Sequence, residues 1–279
     1  MIYVITHKTF DDSIVPDEGY RVLHVGMNDN SKVNYLRDDT GESISSKNPY
    51  YCELTGLYWI WKNSHERPED IVGLVHYRRF FTYFFDDRLY ALFGKMPKAC
   101  GFDELKKMCS DSKAIVPQRQ RGLYSLEVAY SINHGINDLK IAQKSIKKNS
   151  PDYYKDFMKV LKDNIFFGYN MIVCKKKLLD QYCEWVFPIL SDVEQRIVKE
   201  ESRNDYQNRV YGFLSERLLQ VWLMHNGIAL VELPVFNTEK RTDTYVVREI
   251  KKLKASKLRS KRRKQELIDD PHNERYHLI

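Results

Sequence analysis

The run Asp70-Ile-Val-Gly-Leu-Val-His-Tyr-Arg-Arg-Phe-Phe81 decides how this chain is read. Ile71 to Val75 are all apolar or small, the pattern of a short strand buried on both faces. His76, Tyr77, Arg78 and Arg79 follow at its carboxyl end, which is where open α/β sheets bind ligands. A buried cation is costly unless paired, so packing alone has no use for a histidine and two arginines there. An anionic ligand, above all a phosphate, supplies one. A structural ion pair with a nearby carboxylate is the competing reading for either arginine taken singly.

Working outward, strand-like and helix-like segments alternate. Ile2–Thr6 reads as an opening strand followed by His7-Lys8, and Tyr20–Val25 as a second. Asp38–Lys47 is polar and reads as a loop. A helix is expected next, with Asn48 as N-cap, Pro49 at its first position, and Leu54, Leu57, Tyr58 and Trp61 at helical spacing. Residues 82–112 show no clear period. Ala114–Pro117 reads as a strand, Asp138–Lys148 and Tyr153–Lys162 as helices, and Phe166–Val173 as a strand. Leu178 to about Val198 is expected to be helical and interrupted near Pro188, Ser215–His225 to be a helix, and Ala229–Val235 to be a last strand. No internal repeat is visible. The alternation predicts a mostly parallel central sheet flanked by helices.

The composition sets the class. With 279 residues, 43% hydrophobic and 30% charged, the chain is of a size for one large α/β domain or two small ones. No apolar stretch reaches the length of a membrane span, and no basic-then-apolar signal pattern opens the sequence, so a cytoplasmic location is expected. Cys52, Cys100, Cys109, Cys174 and Cys183 are odd in number and never spaced CxxC, against both a disulfide framework and structural zinc. The 19 Tyr and 4 Trp suit sugar or base sites but serve core packing as well.

Arg248–Lys264 differs in kind, carrying ten Lys or Arg against Glu249 alone and so accounting for the whole net charge of +7. A solvated helix, a nucleic-acid contact and attachment to an anionic membrane surface are the three readings. Aromatics are missing until Tyr276, which weakens single-strand stacking and makes nucleic acid a poor partner. Ile250, Leu253, Leu258 and Leu267 form a thin apolar stripe, so any membrane contact would be peripheral. The division is read as a 1–240 domain and a helical, basic 241–279 extension.

Four blocks, Thr6-His7-Lys8, Ser46–Asn63, Gly73–Phe80, and Tyr169-Asn-Met171 with Gly212–Leu218, taken in order, resemble a family of bacterial capsular and exopolysaccharide glycosyltransferases. Some members are galactofuranosyltransferases. The resemblance spans residues 1–235 and leaves out the basic tail. It implies a GT-A-like, Rossmann-related fold that takes a UDP-sugar, with galactofuranose the first candidate donor sugar. The acceptor would be a glycan or a lipid-linked glycan at the inner face of the membrane, where the tail would hold the protein.

In most GT-A enzymes an Asp-x-Asp motif after a central strand holds a divalent metal that stabilises the leaving diphosphate. Here His76-Tyr77-Arg78 stands at that place, while Asp11-Asp12, Asp38-Asp39 and Asp86-Asp87 follow no convincing buried strand. The expectation is that Arg78, with Arg79 and His76, does the metal's work and that no cofactor is needed. Thr6, His7, Lys8, Lys47, Asn48, Tyr77 and Arg217 are the remaining candidates for donor binding. His7 reads equally as a satisfied strand-end histidine, and Asn48 as a plain N-cap. Glu216, expected early in its helix, is the candidate base of an inverting transfer, with a surface glutamate as the alternative. His134, Asp138 and Asn170 are candidates for sugar or acceptor contact, Asp138 equally for a helix N-cap. The exposure of Glu53, inside the expected helix, is not legible.

Overall fold

A computed structural model describes residues 1–27, 34–84, 86, 97–197 and 205–239. The segment Arg248–Lys264 and Asp87 lie outside the described residues. The main sheet is built from β1 (Ile2–Thr6), β2 (Tyr20–His24), β3 (Leu36–Arg37), β4 (Ile71–His76), β6 (Lys113–Pro117), β9 (Ile172–Lys175) and β10 (Ala229–Leu233). Their order is β10-β6-β9-β4-β1-β2-β3. β5 (Arg79–Phe81) turns back from β4 and pairs with β11 (Val235–Asn237). A separate ribbon joins β7 (Gln120–Arg121) to β8 (Ile165–Phe166).

β4 is parallel to β1, β1 to β2, and β6 to β10, whereas β9 runs antiparallel to both β4 and β6. The mostly parallel sheet expected from the alternation is present. All five residues of β1 and all six of β4 are buried, as their unbroken apolar runs require. Alternate residues serve opposite faces. Tyr3, Ile5, Val72 and Leu74 join the larger core under helices Leu54–Asn63, Lys176–Arg196 and Val210–His225. Ile2, Val4, Ile71 and Val75 join a smaller one with Phe80, Phe81 and Leu105. Each such side chain contributes about 1.5–3 kcal/mol on burial.

Several boundaries differ from expectation. The helix read from Asn48 onward is two pieces, Asn48–Tyr51 and Leu54–Asn63, broken at Cys52, whose φ of 54° no periodicity reports. Asn48 lies inside the first piece and is no cap; its amide donates to the Cys52 carbonyl at 2.8 Å and to the Thr55 hydroxyl at 3.1 Å, bracing the break. Phe166–Val173 is not one strand, because Tyr169 (φ 78°) and Asn170 (φ 50°) turn the chain in left-handed conformation between β8 and β9. The last helix begins at Val210 rather than Ser215, which puts Glu216 in its second turn. The apolar residues Val210, Tyr211 and Leu214 are buried, so packing extends the helix backward past the polar signal. Lys176–Arg196 is a single helix with Pro188 inside it. Asp138 lies in the first turn of Ile136–Asn149, whose N-cap is Gly135. A Phe102–Met108 helix lies in the stretch that showed no period.

Candidate functional site

The register brings the carboxyl ends of β1 and β4 level. Ile5 is opposite His76, and Thr6 is opposite His24. Because β9 is antiparallel to β4, with Leu74 opposite Ile172, the Tyr169–Asn170 turn arrives at that same edge. A cavity of about 950 Å³ opens there. Its wall includes Thr6, His7, Asn48, His76, Tyr77, Arg78, Arg79, His134, Glu216 and Arg217, all anticipated from sequence. It also includes Tyr169, expected with Asn170 and Met171 to face the donor or acceptor sugar, and Cys52, Glu53, Tyr206 and Arg209, for which the sequence gives no such sign. Lys8, Lys47, Asp138 and Asn170 do not line it.

The Tyr169 peptide is the hub of the wall. Its N–H donates to Glu216 Oε1 at 2.7 Å, and its carbonyl accepts from His76 Nε2 at 2.6 Å. That bond assigns the proton of the neutral ring to Nε2 and leaves Nδ1 as an acceptor. Burial holds the His76 pKa below its ordinary value, outweighing the opposing pull of Glu53. The Arg79 guanidinium lies 4.5 Å from the Tyr169 ring centroid. Non-glycine residues with positive φ cost on the order of 1–3 kcal/mol each. Among the described residues the three such positions are Cys52, Tyr169 and Asn170, all at this wall or directly behind it.

The cations divide into two groups. Lys8 and Arg78 both pair with Glu239, each at 3.1 Å, and both lie near the Tyr77 ring. Lys47 is turned away to Glu194 at 2.7 Å. Arg79 and Arg209 are half-buried and, among the described residues, neither has a carboxylate within ion-pair distance. Arg209 Nε donates to Cys52 Sγ at 3.0 Å, and burial raises that thiol to about 12. Two cations facing a cavity with no carboxylate in ion-pair range among the described residues are a recognisable anion site.

Glu53 and Glu216 line the same cavity, as does the exposed Asp205. Glu216 is largely buried; Oε1 takes the Tyr169 N–H and Oε2 takes Arg217 at 2.9 Å. Burial raises its pKa, against the lowering pull of Arg217. Arg217 is itself buried, donating also to the Phe213 carbonyl at 2.8 Å and lying against the Phe166 ring. Glu53 accepts from Asn170 Nδ2 at 2.6 Å. Asn170 is thus a support behind the wall rather than a sugar contact. On the far side His134 stacks on Phe213 at 3.9 Å, with the exposed ring of Tyr206 beside both. Thr6 closes its own turn on the Lys8 backbone, and His7 meets the Tyr77 ring edge-on.

Glu53 and Arg209 escaped the sequence reading for one reason each. Glu53 sits inside an apolar helical pattern whose break at Cys52 is conformational. Arg209 stands alone before an apolar run, with no strand end to flag it.

The carboxyl end of β4 offers a histidine and two arginines, and among the described residues no three His, Cys, Asp or Glu side chains form a metal-binding group. The adjacent acids have local duties. Asp11 accepts from the Ser13 N–H, Asp38 from the Gly26 N–H and the Ser45 hydroxyl, and Asp39 from Arg37.

Residues 1–227 match the family model described as a domain of unknown function, DUF4422. The chain belongs to this family. The β10 and β11 strands lie just past the matched DUF4422 region but complete the same sheet. Among solved structures, the apo form of WbbM, a bifunctional glycosyltransferase, is similar to this chain with a TM-score of 0.68 and 25% sequence identity. The likeness covers 87% of this chain and 46% of that one, so this chain spans less than half of that protein. No curated protein matches. The mixed α/β architecture with a mostly parallel sheet is thus one shared with a glycosyltransferase of GT-A-like fold. No helix among the described residues is long and apolar enough to cross a membrane.

Proposed function

We propose that this protein is a glycosyltransferase that moves a hexose from a UDP-sugar to a hydroxyl of a glycan or lipid-linked glycan, with inversion and with cationic side chains in place of a metal. The observation that carries the reading is the pair Arg79 and Arg209, half-buried in the wall of one cavity at the carboxyl edge of the sheet, which Glu53 and Glu216 also line. The likeness to WbbM supports glycosyl transfer in general. UDP-galactofuranose is the first donor to try, and capsule or exopolysaccharide synthesis the setting, on the resemblance described above.

Transfer leaves a diphosphate whose growing charge must be stabilised. Arginine suits this task, since it stays charged and offers a planar fork of donors to phosphate oxygens. Arg79 and Arg209 are placed for it at once, and Arg78 joins them when Glu239 is displaced. His76, with its Nε2 proton committed to Tyr169, offers Nδ1 as an acceptor. Stacked His134 and Phe213, with Tyr206, offer an apolar face to a sugar ring.

The test is a panel of UDP-sugars screened for transfer and hydrolysis, with and without excess EDTA. Turnover of at least one donor that persists in EDTA is expected; turnover abolished by EDTA would remove the cationic substitute, and no turnover or UDP binding at all would remove the reading. The tail is proposed to hold the enzyme to an anionic surface. Removing residues 248–279 should reduce cosedimentation with phosphatidylglycerol vesicles while transfer to a soluble acceptor persists.

A further inference from the structure

Inversion requires one group to take the proton of the attacking hydroxyl, and besides the exposed Asp205 the cavity is lined by two more deeply buried carboxylates that could, Glu53 and Glu216. Their hydrogen bonding separates them. Both oxygens of Glu216 are taken, one by the Tyr169 N–H and the other by the Arg217 guanidinium, so an attacking hydroxyl would have to share an oxygen with one of those donors. Glu53 is held by one oxygen only. Asn170 Nδ2 donates to Oε1 at 2.6 Å, and among the described residues no hydrogen bond reaches Oε2.

The support behind Glu53 is built with care for orientation. Asn170 is 4% exposed and in left-handed conformation, a strained backbone that persists only where its surroundings over-determine it. Its Oδ1 accepts from the Ser215 hydroxyl at 2.7 Å, and its Nδ2 also donates to the Gly212 carbonyl at 3.1 Å. Those two bonds fix which way the amide faces, so that one N–H is aimed at Glu53. The carboxylate is thereby pinned at one end and open at the other, beside His76, Arg79 and Glu216.

We propose that Glu53 is the catalytic base and that Glu216 is a positioning residue, holding the Tyr169–Asn170 turn that aims it. This rests on the glycosyltransferase reading above. The acceptor oxygen bonds to the anomeric carbon while the anomeric carbon–oxygen bond to the diphosphate breaks. The hydroxyl proton passes to Glu53 Oε2, and the bonding pair leaves on the diphosphate, whose charge meets Arg79 and Arg209.

The experiment uses the full chain, a UDP-sugar that wild type turns over, and a soluble glycoside acceptor. Glu53→Gln should lower transfer about 10²- to 10⁴-fold, as loss of a general base does, while the calorimetric Kd for UDP stays within about twofold. Glu53→Asp, which keeps the carboxylate on a shorter stem, should retain part of kcat. Glu216→Gln should lower kcat less than Glu53→Gln and lower the melting temperature. The acidic limb of the pH–rate profile should persist in Glu216→Gln and vanish from the residual rate of Glu53→Gln. Near-wild-type transfer by Glu53→Gln, or loss of the acidic limb in Glu216→Gln instead, overturns the assignment and leaves the glycosyltransferase reading standing. A wild-type protein that neither binds UDP nor turns over any UDP-sugar overturns both. Should Glu53→Gln fail to fold, Glu53→Asp decides alone: unchanged kcat overturns the assignment, and reduced kcat at unchanged UDP affinity supports it.

Discussion

Adjacent arginines on one strand end have different chemistry because their partners differ. Arg78 lies in the turn between β4 and β5, one-third exposed, and already shares Glu239 with Lys8. Arg79 begins β5, where burial disfavours its charge, and its nearest favourable neighbour is the face of Tyr169. A cation with no carboxylate in ion-pair range among the described residues has the more to gain from a phosphate. Arg79→Ala should therefore weaken UDP binding by about 1.5–3 kcal/mol, roughly 10- to 100-fold in Kd by calorimetry. Arg78→Ala should cost less, since its pair with Glu239 must first be broken; a larger loss for Arg78 than for Arg79 would reverse the ranking.

At the scale of elements, the site depends on how closely β9 lies against β4. A Cβ built on Gly73 would stand 2.6 Å from the Ile172 carbonyl oxygen and 2.9 Å from Val173 Cα, both backbone atoms of the neighbouring strand. Gly73→Ala should cost about 1–3 kcal/mol by forcing that pair apart, seen as a lower melting temperature, and should also weaken UDP binding by moving the Tyr169 turn. An unchanged melting temperature would mean that β9 can shift freely. What could be read in the sequence follows the same division. β1 and β4 were legible because uninterrupted apolar runs report burial directly, and the charged residues after Val75 reported the edge where they lie. The Cys52 break and the Tyr169–Asn170 turn were not. Both use positive φ at non-glycine residues, which tertiary contacts impose and local sequence does not announce. Glu53 and Asn170 are therefore not legible as a pair, although Asn170 alone reads as a candidate sugar contact.

For the whole molecule, burial of titratable groups gives stability a definite pH dependence. His24, His76 and His134 are all held below the ordinary histidine value, in each case first by burial, and His134 falls to about 4. A histidine with a depressed folded-state pKa binds its proton more readily when unfolded. Its contribution is complete above about pH 6.5 and is lost as pH falls toward the folded value. Glu216 and Asp38, raised by burial, act with the opposite sign. The urea midpoint of wild type should fall between about pH 6.5 and about pH 4, and His134→Gln should flatten part of that fall. An identical slope in the variant would remove His134 from the account.

The strand order also bears on how the protein is made. β4 is formed early in synthesis, but its inner edge must wait for β9, which ends at Lys175, and β5 must wait for β11, which ends at Asn237. A ribosome therefore displays a strand that is apolar as far as Val75 with one edge unpaired through much of translation, when such an edge invites pairing with another chain. The same arrangement that assembles the cavity wall from distant parts of the chain leaves that edge of β4 open until β9 emerges.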